Sequence, residues 1–362
     1  MSERFFVLGN SSDGLYGFRK ELLEALARKG EVWASVPDNG WFSELQEQGC
    51  HVIETPIDRR GINPVTDFKL LLRYIRMIRK LKPTRVMTYT IKPNIYGSLA
   101  CQLLGVPYAV NITGLGTTFQ KSGLLRTIVI ILYKMAVHGA DVVFFENQGN
   151  MQTLLDMGIV RRQQCRLLSG AGVNLERFSP ADYPCEEEPT RFLCIGRVMA
   201  EKGVNELFAA MERLISEGYC CELDVLGYYE EDHKDAIDRY TRQGWLHYHG
   251  FRSDVKPFIE KAHCFVLPSW HEGMANTNLE CAAMGRPLIT SNIHGCKEAV
   301  AEGVSGLLCE PKNADSLYEA MKAFLSLGRE ERMAMGRAGR RHMEEVFDKK
   351  KVVSETLKGL GL

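Results

Sequence analysis

The sequence predicts an α/β protein of two doubly wound, Rossmann-like domains facing a central cleft, and three observations carry that prediction. Short apolar runs alternate with amphipathic stretches through residues 1–173. That is the pattern of a parallel sheet covered by helices on both faces. The alternation stops over 174–190, where Pro180, Pro184, Pro189 and the run Glu186-Glu187-Glu188 read as a linker. A second strand–helix series then fills 191–345. At ~150 residues per domain, 362 residues suit two domains.

Phe5–Leu8 is an unbroken apolar strand, and Leu15–Lys29 a helix that Gly30 stops. Val32–Val36 and His51–Glu54 read as the next strands. Over Asp67–Lys82, Phe68, Leu71, Leu72, Ile75, Ile78 and Leu81 recur at helical spacing. Strands Arg85–Thr88, Tyr108–Ile112 and Val142–Phe145 then alternate with helices Asn94–Leu104, Leu124–Val137 and Met151–Met157. In the second series the strands are Phe192–Ile195, Glu222–Leu226, Leu246–His249, Cys264–Leu267, Leu288–Ser291 and Gly306–Cys309. Its helices are Val204–Ser216, Lys234–Gln243, Val255–Ala262, Asn276–Met284 and Ala314–Leu325, and Glu330–Glu345 and Lys349–Leu360 close the chain.

Composition excludes several classes. Apolar residues make up 45% and charged residues 25% with no net charge, so bulk disorder is excluded. The longest apolar run, Ile128–Tyr133, is far below the ~18 residues of a membrane span, and Phe5–Leu8 is too short for a secretory segment. Eleven cysteines without a Cys-x-x-Cys read as reduced thiols of a cytoplasmic protein. No phosphate-loop, Gly-x-Ser-x-Gly, His-Glu-x-x-His or Asp-x-Asp motif occurs. His247 and His249 share a strand face and read as a packed or exposed pair, so no metal is expected.

Charge is uneven along the chain. Residues 1–170 hold 21 Lys/Arg against 14 Asp/Glu, and the remainder 24 against 31. Arg59–Lys92 alone carries ten bases and one acid, Asp67. Lys69, Arg73, Arg76 and Lys80 form a stripe along the Asp67–Lys82 helix. It is either a solvated basic face or one drawn to an anionic membrane surface. Stacking aromatics and nucleic-acid motifs are missing, so no nucleic-acid partner is expected.

Four loops at strand ends are candidates for chemistry. Gly196–Gly203 joins a strand to a helix, with Arg197 and Lys202 beside a helix N-terminus. They are either two surface cations or the holders of a diphosphate. Ser269–Glu280 places Glu272 in a loop and Glu280 in the following helix. They are either a helix-entry acid and an exposed acid, or carboxylates that hold hydroxyl groups at opposite ends of one ligand. Asn111–Phe119 is a near-miss of a dinucleotide motif, in which glycines let backbone approach a ligand. Asn10, Ser11, Ser12 and Asp13 follow the first strand, where Ser and Asp also suit a helix cap.

Together these segments resemble the retaining nucleotide-sugar glycosyltransferases of family 4, which have the GT-B fold. The matching residues are Gly170-Ala171-Gly172-Val173-Asn174 with Arg177-Phe178-Ser179-Pro180, Gly196–Gly203, and Leu267-Pro268-Ser269 with Glu272-Gly273 and Glu280. Gly285-Arg286-Pro287-Leu288-Ile289, Gly295-Cys296-Lys297-Glu298 and Gly303-x-x-Gly306 complete the set. The resemblance implies that 1–173 binds acceptor and 191–345 binds donor, with the C-terminal helix, about 346–362, packing back on the first domain. It implies that Gly196, Arg197 and Lys202 hold the donor diphosphate and Glu280 the ribose hydroxyls. Glu272 would face the transferred sugar near Gly273, Met274, Ala275 and Asn276, while Arg252 and Val255 would lie near the nucleobase. Asn10, Ser11, Ser12, Asp13, Thr113 and Gly114 would form acceptor-side loops. Many members carry a histidine where Thr113 or Gly114 stands here.

The reaction so implied moves a sugar from a nucleotide-sugar, a UDP-sugar in the first instance, to a lipid-linked or other saccharide acceptor. It would serve bacterial surface polysaccharide or glycan synthesis at the inner face of the cell membrane. The nucleotide-sugar is a co-substrate, and no cofactor or metal is expected. In the front-face mechanism proposed for the family, Glu272, Arg197 and Lys202 serve catalysis, the two cations stabilise the departing diphosphate, and the departing phosphate accepts the acceptor's proton. A sugar-nucleotide isomerase on the same fold and a non-catalytic sugar-binding protein are the alternatives.

Overall fold

The computed structural model describes residues 3–58, 61, 63–116, 123–185 and 189–362, with Leu124 and Leu125 described in backbone alone. The chain divides into two units, Met1–Ala171 with Lys350–Leu362 and Gly172–Lys349.

The first unit runs β1 (Glu3–Leu8), α1 (Ser12–Ala27), β2 (Gly30–Val36), α2 (Phe42–Glu47), β3 (Cys50–Glu54), α3 (Pro64–Leu81) and β4 (Arg85–Tyr89). A π-helical turn, Pro93–Gly97, leads into α4 (Ser98–Leu104), followed by β5 (Tyr108–Ile112), α5 (Leu124–Val137), β6 (Val142–Phe145), α6 (Gln148–Asp156) and β7 (Cys165–Leu167). Seven parallel strands lie in the order β3-β2-β1-β4-β5-β6-β7. Both faces of its central strands are buried, which is why β5 and β6 read as continuous apolar runs. Leu70, Tyr74 and Ile78 of α3 join Phe6, Leu8 and Val110 on one face, and Leu22 and Leu26 of α1 join Phe5 and Val7 on the other.

Helix α3 differs from its sequence reading in a useful way. Asn63 caps it by accepting from the Val65 amide at 2.9 Å, Pro64 opens it, and Lys82 ends it with φ 48°. Of the expected row, Ile78 and Leu81 are buried, Leu71, Leu72 and Ile75 are half-buried and Phe68 is 59% exposed, and Leu70 and Tyr74 complete the buried face. Tyr74 supplies the apolar contact that the aliphatic pattern assigned elsewhere.

The second unit runs β8 (Thr190–Ile195), a 3-10 turn at Ala200–Lys202, α7 (Val204–Ser216), β9 (Cys221–Leu226), α8 (Lys234–Arg242), β10 (Leu246–Gly250), α9 (Lys256–Lys261) and β11 (Cys264–Leu267). It continues with α10 (Asn276–Ala283), β12 (Leu288–Ser291), β13 (Gly306–Cys309), α11 (Ala314–Ser326) and α12 (Arg329–Val346). Six parallel strands lie in the order β10-β9-β8-β11-β12-β13. The last helix, α13 (Lys349–Gly359), returns to the first unit, where Val352 and Leu360 pack with Phe5, Val7 and Phe144.

The linker expected at 174–190 is a correction. The crossing falls between Ala171 and Gly172, and the segment after it is bound to the second unit. Phe178 is buried beside Leu193 and Phe265. Two distant arginines satisfy the segment's carbonyls. The fully buried Arg286 donates to Ile259, Ala181 and Asp182 at 2.9, 3.2 and 2.6 Å, and Arg340 donates to Phe178 at 2.8 Å. Proline content marks irregular backbone and says nothing about who holds it. Glu186–Glu188 lie outside the described residues. The unit's two ends meet: the Val173 amide donates to Phe347 at 2.7 Å and the Lys349 amide to Val173 at 3.0 Å.

Candidate active site

In each sheet the strand order reverses at one place, between β1 and β4 and between β8 and β11. In doubly wound sheets ligands collect beyond the carboxyl ends of strands at such a reversal. In the second unit this puts the loops after β8 and β11, the two richest in candidate residues, side by side.

Their approach is tight. Gly203 has φ 73°, and a Cβ on it would stand 2.1 Å from the Pro268 carbonyl oxygen. Only glycine suits that backbone and that spacing. The Trp270 amide donates to the Glu201 carbonyl at 2.9 Å, and the Trp270 indole to Glu206 at 3.1 Å. Lys202 thereby reaches the carboxylate of Glu272, to which Ser269 also donates at 2.8 Å. Burial pushes the Glu272 carboxyl up, but the Lys202 charge and the bonds from Lys202 and Ser269 outweigh it and hold the group below the usual carboxylate range. Glu272 is thus a desolvated, oriented anion. Arg197, half-exposed, pairs with Glu230 at 3.3 Å.

Backbone shapes the rest of the loop. The side chains of Met274 and Ala275 are buried, so these two residues present main chain alone. The Ala275 amide donates to Gly295 at 2.8 Å, and a Cβ at Gly295 would stand 2.7 Å from the Glu272 carbonyl oxygen. Asn276, the first residue of α10, keeps a buried side-chain oxygen without a hydrogen-bond partner among the described residues. Among the described residues nothing lies within 4 Å of where a Cβ on Gly196 would stand.

Glu280 lies one turn into α10. Burial raises its pKa to about 7, against the pull of Arg177 and Lys349. Among the described residues its carboxylate makes no hydrogen bond, while its carbonyl accepts from the Met284 amide at 3.2 Å. Arg252 is exposed after β10, and Val255 caps α9.

Sequence reasoning passed over three groups here. Ser269 orients Glu272. Glu230 and Glu231 follow β9 and touch the Gly196–Gly203 loop. Tyr228 and Phe251, both exposed, stand with ring centroids 6.4 Å apart after β9 and β10. All sit just past strand ends, and that position is the signal that finds them.

In the first unit, the loop after β1 divides between structure and availability. Ser11 caps α1 by accepting from the Gly14 amide at 3.1 Å and also bonds Asp13, while the Ser12 hydroxyl accepts from the Asn39 amide at 3.0 Å. The cap occupies Ser11 and Asp13 and the Asn39 loop occupies Ser12, and α1 starts at Ser12, ahead of the expected Leu15. Asn10 has no hydrogen-bond partner among the described residues. Thr113 and Gly114 follow β5 half-buried. Thr117, Thr118 and Phe119 lie outside the described residues. His247 and His249 bond Glu222 and Asp224 of β9 at 3.1 and 2.6 Å, side by side on the sheet.

This architecture is that of the GT-B glycosyltransferases. The chain superposes on Anabaena HepE, solved with UDP and glucose, at TM-score 0.82 over 99% of both chains with 14% identity. It superposes on sucrose-phosphate synthase of Thermosynechococcus elongatus at 0.79 over 98% of both with 19% identity. Residues 10–147 match the model of the glycosyl transferase 4-like family and residues 189–326 that of the glycosyl transferases group 1, and the chain belongs to these glycosyltransferases. Among curated relatives, it is 27% identical over 89% of both chains to the N,N'-diacetylbacillosaminyl-diphospho-undecaprenol alpha-1,3-N-acetylgalactosaminyltransferase of Campylobacter jejuni. It is 24% identical to the UDP-Gal:alpha-D-GlcNAc-diphosphoundecaprenol alpha-1,3-galactosyltransferase of Escherichia coli, over 78% of this chain and 77% of that one.

Proposed function

We propose that the protein transfers a hexosyl or N-acetylhexosaminyl group from a UDP-sugar, with retention of configuration and without a metal, to a saccharide carried on a polyprenyl diphosphate. The observation that carries the reading is the arrangement at the β8–β11 reversal: two cations, a desolvated oriented carboxylate and a half-buried one after adjoining strands. Arg197 and Lys202 receive the charge that develops on the departing diphosphate. Glu280 accepts from the ribose hydroxyls. Glu272 orients the hydroxyls of the transferred sugar, with the main chain of Gly273–Ala275 beside it. Arg252 and Val255 flank the nucleobase. The loops with Asn10, Thr113 and Gly114 serve the acceptor. The relatives above act on undecaprenyl-diphosphate-linked saccharides by name, which supports a lipid-linked acceptor and a role in surface glycan synthesis.

A lipid-linked acceptor calls for a membrane-facing surface, and the first unit offers one. No helix among the described residues is long and apolar enough to cross a membrane. Helices α3, α4 and α5 lie next to one another on one face of the sheet. Outward they present Val65, Phe68, Leu103, Ile128, Ile131 and Met135, all 45–69% exposed. Lys69, Arg73, Arg76 and Lys80 stand exposed on α3, and none of them makes an ion pair among the described residues. Apolar side chains beside unpaired cations match an anionic bilayer surface at the inner face of the cell membrane. Arg59 and Arg60 lie outside the described residues.

The test is incubation with a panel of UDP-sugars and a polyprenyl-diphosphate-linked monosaccharide, with and without EDTA. The reading expects one donor to be consumed, a disaccharide product with the donor's anomeric configuration, and an unchanged rate in EDTA. Inversion, EDTA sensitivity or donor converted without acceptor each removes a specific part of the reading.

A further inference from the structure

The Gly196–Gly203 loop is already furnished with anions of the protein's own. Past β9 the chain turns at Gly227, whose φ is 144° and whose Cα lies so close to Gly196 that a Cβ would stand 1.8 Å from its carbonyl oxygen. The following residues are stitched to the loop by main chain. Val198 and Tyr229 form a parallel bridge, the Val198 amide donates to Tyr228 at 3.0 Å, and the amides of Glu230 and Glu231 donate to Val198 at 3.1 and 3.3 Å. The two carboxylates so placed meet two donors of the loop: Glu230 the guanidinium of Arg197 at 3.3 Å, and Glu231 the Ala200 amide at 2.7 Å, where the 3-10 turn begins.

We propose that Glu230 and Glu231 are affinity-setting residues of the donor site, standing in for phosphate oxygens on Arg197 and on the Ala200 amide and competing with the donor's diphosphate for them. The inference rests on the reading of Arg197 as a diphosphate ligand. The main-chain stitching fixes the backbone of the Tyr228–Glu231 segment, so the carboxylates stay rooted beside the loop when the ligand arrives. Glu230 must share Arg197 with the diphosphate or rotate away from it, and either course weakens ground-state binding of the charged nucleotide. The benefit is twofold. The loop keeps its shape when empty, with its cation neutralised. The product UDP, which carries more charge at its terminal phosphate than the donor does, is held less tightly and leaves sooner.

The experiment is calorimetric titration with UDP, and separately with inorganic pyrophosphate, of wild type, Glu230→Gln, Glu231→Gln, Arg197→Ala and the Arg197→Ala/Glu230→Gln pair. Both glutamines keep the shape and remove the charge, and thermal unfolding checks that each variant is folded. The expected result is a two- to fivefold tighter Kd for both ligands in Glu230→Gln, a smaller gain in Glu231→Gln, and no gain from Glu230→Gln once Arg197 is gone. Weaker or unchanged binding in both glutamine variants, with Arg197→Ala still losing affinity, overturns this proposal and leaves the donor-site reading standing. Unchanged UDP affinity in Arg197→Ala overturns both.

Discussion

Lys202 and Glu272, 70 residues apart in sequence, form one ion pair because the strands that precede them are neighbours in the sheet. The pair is mostly buried, with side chains 19% and 12% exposed. Removing one partner of such a pair strands the other charge. Lys202→Met should therefore cost about 3 kcal/mol in stability, and adding Glu272→Gln should recover much of it. A double-mutant cycle by chemical denaturation measures this. Because the folded pKa of Glu272 is lowered, its share of the stabilisation is present above the ordinary carboxylate pKa. It is lost as pH falls through the folded value. Independently of stability, Lys202→Ala should lower kcat by ~10²-fold or more if the lysine stabilises the leaving diphosphate.

Glu280 runs the opposite way. Its folded pKa of about 7 exceeds its ordinary value of 4.5, so folding favours the protonated form. The contribution is fully present below pH 4.5 and is lost as pH rises toward 7. Glu280→Gln should flatten that part of the stability profile, by an amount on the order of 3 kcal/mol. The ionised group is the better acceptor for ribose hydroxyls. Affinity for a UDP-sugar, whose diphosphate carries no proton in this range, should accordingly rise from pH 5.5 to 8.5 in wild type, and stay level in Glu280→Gln. A flat wild-type profile removes Glu280 from the ribose.

Two glycines of one loop should behave differently. Gly203→Ala places a Cβ against the Pro268 carbonyl in a left-handed backbone. It should destabilise by at least ~2 kcal/mol. Gly196→Ala meets nothing within 4 Å and needs no unusual φ. It should melt like wild type yet bind UDP more weakly, since open space there is what a phosphate would enter. Equal melting shifts for both would contradict this account of the loop.

Charge reversal on α3 tests the surface. Lys69→Glu, Arg73→Glu and Arg76→Glu together should abolish sedimentation with anionic vesicles at low salt, since each cation near such a surface is worth ~1 kcal/mol. UDP binding should remain that of wild type. Retained sedimentation would place the membrane contact elsewhere.

Most strands were legible, because parallel strands buried on both faces read as solid apolar runs; Tyr108–Ile112 and Val142–Phe145 match to the residue. Helix α2 and strand β7, six and three residues long, offer too few positions for a period to show. At the candidate site, the residues belonging to a recognisable segment, such as Arg197, Glu272 and Glu280, are the ones a sequence offers as candidates. Glu230 was not, because its contact comes from main-chain pairing between two loops that lie 30 residues apart. The tie between Arg286 and Ala181 was equally hidden, since a sequence does not show which guanidinium will close on which carbonyl.

The second unit begins and ends at the same spot, where Val173 is bonded to both Phe347 and Lys349. It is therefore an insertion that interrupts the first unit. A ribosome delivers all of it before Val352 and Leu360 emerge, so the half that starts first is completed last. Truncation ahead of Lys350 would leave the later-made half whole and open the earlier one beside Phe144, against whose ring Gly359 packs so closely that a Cβ would stand 2.6 Å away. A few residues at the far end of the chain thus act as the latch on its beginning.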